Sequence, residues 1–148
     1  MANFLPLLDL QHSLVSTFVF RIIVVLCSAF MAITFCQSAL DKITDYSGNK
    51  AYFKTQFEKS ILKNSIGFLL PVLTLLEAST GLLCVFGNIW RLFTHDSIYI
   101  MLGLLCASLS LLSLLFGQRV AKDYAGASSL TGYFSIAILG LIAQAASM

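Results

Sequence analysis

The chain has 148 residues, 58% hydrophobic and only 11% charged, with a net charge of +2 and a mean hydropathy of +0.88. A soluble domain carries about 25% charged residues, and a chain this short cannot hide so much apolar surface from water, so an aqueous globule is excluded. The basic residues act first as a topology signal and not as a binding face, and no nucleic acid is expected among the partners.

The opening stretch, Asn3-Phe-Leu-Pro-Leu-Leu-Asp-Leu-Gln-His-Ser13, has no basic start of the kind that marks a cleavable signal. It reads as a short interfacial segment ahead of a retained first span, residues 22–40, which Arg21 opens. A second uncharged run covers 65–87, broken only by Glu77. The third and fourth cover 98–117 and 128–147. Each approaches the roughly 20 residues needed to cross a bilayer. The expected architecture is all-α: one membrane domain, 1–148, built as a four-transmembrane-helix bundle.

The longest loop lies between the first two spans. There Tyr52, Phe53, Phe57, Ile61 and Leu62 recur at roughly helical spacing with lysines between them. This predicts an amphipathic helix over 49–63 lying at the membrane surface. Asp45-Tyr-Ser-Gly48, just before it, is echoed by Asp123-Tyr-Ala-Gly126 after the third span. Small residues form stripes at Gly103, Ala107 and Ser110, and again at Ala137, Gly140 and Ala143, as close helix packing requires.

Lys42, Lys50, Lys54, Lys59 and Lys63 fall in the first loop, with Arg119 and Lys122 in the third. Only Arg21 and Arg91 stand on the other side. Basic side chains resist translocation, so the odd-numbered loops are expected in the cytoplasm and both termini outside.

Glu77 is the most informative residue. A helix rises about 1.5 Å per residue, which puts this acid near the middle of its run and of the bilayer. Acids at that depth are costly unless paired, protonated or facing a polar cavity, and they mark functional sites. Thr74, Ser79 and Ser108 are the expected hydrogen-bonding neighbours. Pro71, six residues earlier, is expected to bend the helix beside it. Gln37, Asp41 and Lys42 complete a polar set at the exit of the first span, where Asp41 and Lys42 also read as interfacial anchors. A carboxyl so placed can donate to a quinone carbonyl, bind helix to helix, or titrate in a proton-coupled transporter.

Of four cysteines, Cys27 and Cys84 lie near the same membrane face and are the candidates for a thiol oxidoreductase, although no Cys-x-x-Cys unit exists and inert packing explains all four. His12 and His95 stand alone, and no buried axial histidine is available for heme. No metal site is expected, and no cofactor held by this chain alone.

An arginine opening the first span, an exit reading Gln37-Ser-Ala-Leu-Asp-Lys42, a surface segment, and a second span reading Leu76-Glu-Ala-Ser-Thr-Gly-Leu-Leu-Cys-Val-Phe-Gly87 together resemble the DoxX-like membrane proteins. These are small four-helix bacterial proteins related to the DoxD subunit of thiosulfate:quinone oxidoreductase and, more distantly, to the MauE proteins. The resemblance covers about residues 20 to 88 and places Arg21, Lys42, Glu77, Gly81 and Gly87 on family positions. Ala39 or a neighbour stands where the family's glycine precedes the lysine, and the family's Gly-Arg-Tyr-Ser-type ending has no counterpart in Ala146-Ser-Met148. It implies an inner-membrane location and a tie to quinone or to sulfur and thiol redox. Loops too short for a catalytic domain then favour an accessory or structural subunit working with other membrane subunits, with quinone the one cofactor in view.

Overall fold

The computed structural model describes residues 5–94 and 96–147, with side chains from residue 13 onward. His95 and the side chain of His12 lie outside the described residues. Among the described residues five helices follow in order: α1 (Leu5–Thr44), α2 (Tyr46–Gln56), α3 (Ile66–Thr94), α4 (Ile98–Val120) and α5 (Tyr124–Ala146). Four of them are long and apolar enough to cross a membrane, and α2 is the short helix of the first loop. This is a multi-pass, all-helical membrane protein.

The helices outrun the expected spans. No break separates an interfacial segment from the first span, because α1 runs unbroken from Leu5. The segment expected at 49–63 is helical only to Gln56, where Phe57 caps it and a series of turns leads to α3. The reason is visible in Phe57: it leaves the surface, is buried, and packs against α4 at Gly117. Pro71 is accommodated inside α3, which continues to Thr94.

The long helices form a ring in which α1 packs on α3 and α5, α4 closes the other side, and α1 and α4 face each other across the diagonal. Inward residues recur every three or four positions, as the helical period demands. On α1 these are Val24, Cys27, Ser28, Met31, Ala32, Phe35, Ala39 and Lys42. On α3 they are Ile66, Leu70, Glu77, Thr80, Gly81, Cys84 and Gly87. Most other large apolar side chains point outward, as expected where the solvent is lipid.

Glycines set how closely the helices approach. A methyl group on Gly81 would fall 2.6 Å from Cys36 Sγ and 2.9 Å from the Cys36 backbone nitrogen. On α3 and α4 the notches are reciprocal. A methyl on Gly87 would meet the Ile100 nitrogen at 2.7 Å, and one on Gly103 would meet Cys84 Sγ at 2.6 Å. Without a hydrophobic force between helices in lipid, such backbone proximity is a main source of association. Hydrogen bonds cross the same seams, from Asn88 to Ser28 Oγ at 3.0 Å and between Thr80 and Ser110 at 3.4 Å.

Aromatic side chains mark both ends. Phe86, Trp90 and Tyr99 cluster where α3 meets α4, with ring centroids 4.9 to 5.8 Å apart. At the other end Arg119 lies over Tyr124 and Lys50 over Tyr46, 5.1 and 5.8 Å from the ring centroids. Amphipathic rings with basic partners belong at headgroup depth.

Candidate functional site

Lys42 and Glu77 form a buried ion pair. Lys42 Nζ lies 2.8 Å from Glu77 Oε2. Ser38, one turn before Lys42 on the same face of α1, completes a triangle: its hydroxyl accepts from Lys42 at 2.8 Å and donates to Glu77 Oε2 at 3.1 Å. Glu77 has no exposed surface, and its second oxygen, Oε1, is buried without a partner.

This revises the picture of a lone acid below a layer of anchors. Glu77 stands eleven residues after Ile66 and seventeen before Thr94, because α3 continues past the C-terminal end of the 65–87 run. Its level in the bundle is therefore that of the end of α1, and Lys42 turns inward to meet it. None of the expected neighbours bonds to Glu77: Thr74 donates instead to the Leu70 carbonyl at 2.8 Å and Ser108 to that of Leu104 at 2.9 Å, and Ser79 makes no side-chain hydrogen bond among the described residues. Ser38 was not singled out by its sequence, although its position four residues before Lys42 placed it on the same helical face.

The rest of the polar set disperses. Gln37 and Asp41 point away from the bundle, and Asp41 contributes its backbone carbonyl to the Asn49 side chain at 3.1 Å. Arg21 lies at the opposite end of α1, roughly 31 Å from Lys42 by helical rise. All four cysteines are unbonded. Cys27 packs against Gly140 of α5, whereas Cys84 sits in the Gly103 notch of α4, so the two thiol candidates serve different seams. Among the described residues no group of three or more metal-ligating side chains occurs.

A groove of about 530 Å³ lies beside the ion pair, between α2, α3 and α4. Its walls are apolar, formed by Tyr52, Phe57, Leu69, Leu73, Leu112 and Phe116. Its polar end carries Gln118, whose Oε1 is buried without a partner. Leu73 and Leu76 line the groove one turn and one residue from Glu77, which itself does not reach it. An elongated apolar molecule with one polar end matches this shape, its chain against the leucines and its head at Gln118. No family model, curated protein or solved structure matches this chain.

Proposed function

We propose that this protein is a non-catalytic accessory subunit of a bacterial inner-membrane assembly, and that it holds a long-chain, quinone-class molecule in the groove between α2, α3 and α4. The observation that carries this reading is the groove itself: apolar walls within the spanning helices and, at one end, an unpartnered amide oxygen able to accept from a quinol hydroxyl. The loops leave no room for a catalytic domain, so redox chemistry would come from a partner. The DoxX-like pattern around Lys42 and Glu77 points the same way, and in this reading the ion pair keeps α3 in register with α1 so that the groove stays open. The lysine-rich loops favour a cytoplasmic face at the groove end and periplasmic termini.

Photocrosslinking tests the groove. A diazirine-bearing menaquinone, added to the purified protein, is expected to label α3 and α4 at Leu73 and Leu112, and Leu112→Trp to reduce that labelling by about tenfold. Equal labelling of lipid-facing Leu92 and Phe93, unaffected by the substitution, would refute it. A phospholipid carrying the diazirine on its acyl chain and labelling the groove just as strongly would show an ordinary lipid site instead.

A further inference from the structure

A second cavity, of about 300 Å³, opens at the end of the bundle remote from the lysine-rich loops. All four long helices contribute to it: Arg21 from α1, Arg91 from α3, Ile98 and its preceding Ser97 from α4, and Gln144 from α5. Among the described residues neither arginine has an ion-pair partner, and Arg91 Nη1 is buried with no hydrogen-bond partner. Asp96, the carboxylate on the rim, accepts from the Ile98 N–H through Oδ1 at 3.0 Å and pairs with neither arginine. Gln144 is 4% exposed and donates to Ser97 Oγ at 2.6 Å, while its Oε1 is buried and unpartnered.

Two guanidinium groups on one cavity repel each other, and a buried donor left unmade is costly. An anion between them reverses the first effect and removes the second, and the N-terminus of α4 adds favourable partial charge. The orphaned acceptor on Gln144 asks for something more, a hydroxyl donor on the same ligand. Trp90 and Tyr99 close by put the cavity at headgroup depth.

We infer that this cavity binds a hydroxyl-bearing phosphate ester, with Arg21 and Arg91 on the phosphate and Gln144 on a hydroxyl. The glycerol phosphate headgroup of an anionic phospholipid has this chemistry, and so does soluble glycerol phosphate. The site is independent of the groove and of the quinone reading.

Native mass spectrometry of the full chain in neutral detergent provides the test, with dioleoyl phosphatidylglycerol and dioleoyl phosphatidylcholine as probes. Phosphatidylglycerol is expected to be retained about tenfold more strongly, and Arg21→Gln and Arg91→Gln each to remove that preference. Arg21 is exposed, so its replacement leaves folding intact even if Arg91→Gln does not. Gln144→Leu should weaken phosphatidylglycerol while sparing phosphatidic acid, which lacks the hydroxyls. Displacement of the lipid by millimolar sn-glycerol 3-phosphate would identify a soluble ligand, and its failure to compete a lipid headgroup. Equal retention of both lipids with no binding of glycerol phosphate, or wild-type preference in Arg21→Gln, would overturn the inference.

Discussion

Lys42 shows how a residue's role depends on its helical face. Its chemistry and its place near a span end suggest a side chain reaching outward to headgroups. Yet the inward stripe of α1, running through Val24, Met31, Phe35 and Ala39, continues at the same period to Lys42, and the tertiary alignment of α1 with α3 brings it to Glu77. The stripe was legible in the sequence; the alignment was not, because nothing local reveals that α3 continues from residue 87 to Thr94 and so moves Glu77 off centre. The pairing leads to a double-mutant prediction. Removing one partner of a buried pair strands the other charge and costs about 3–5 kcal/mol, whereas replacing both with apolar groups costs far less. Thermal unfolding in detergent should find Lys42→Met and Glu77→Leu each strongly destabilising and the double variant close to wild type. Additive losses would contradict the pair. At Gly81, alanine would press on the Cys36 backbone as well as on its thiol. Gly81→Ala is thus expected to cost about 1–3 kcal/mol even when combined with Cys36→Ala. Gly132, with nothing near its absent side chain, should accept alanine with no loss in the same assay.

At the scale of elements, the echo between Asp45-Tyr-Ser-Gly48 and Asp123-Tyr-Ala-Gly126 has a local cause. Each aspartate is the N-cap of the next helix, and its carboxylate accepts from the glycine N–H three residues on, at 2.9 Å in both cases. The repeat is one capping solution used twice, so it was readable as a helix start without any duplication of spans. The second cap is also tied across the bundle, because Gln56 at the end of α2 donates to Asp123 Oδ2 at 3.0 Å. Asp45→Ala should cost about 1 kcal/mol and Asp123→Ala more, measured by thermal unfolding. Equal losses would mean that the Gln56 contact contributes nothing. Just before Asp123, Lys122 holds a φ of 61° where α4 ends, with Asp123 N–H bonded to the Gln118 carbonyl at 2.9 Å and Lys122 N–H to that of Arg119 at 3.2 Å. This is a Schellman turn in a position that suits glycine, and Lys122→Gly is expected to add about 0.5–1 kcal/mol. A loss would show that Lys122 makes a compensating contact.

For the whole molecule, composition alone identified lipid as the solvent, and run length gave the number of crossings. The groove was not foreseeable. Its walls join α2 and α3 to the more distant α4, and Phe57 turns inward there instead of continuing α2 along the surface. The same holds for the Arg21 and Arg91 cavity, where sequence showed two topology residues and the bundle brings them to one opening. Both features depend on four crossings with the first and third loops at one end, which the Gln56 to Asp123 bond requires. Single cysteines at Thr55, Lys122 and Asp96, introduced one at a time and probed with a membrane-impermeant maleimide in sealed vesicles, test this most directly. Thr55→Cys and Lys122→Cys are expected to react from the same side and Asp96→Cys only from the other. Labelling of the first two from opposite sides would contradict it.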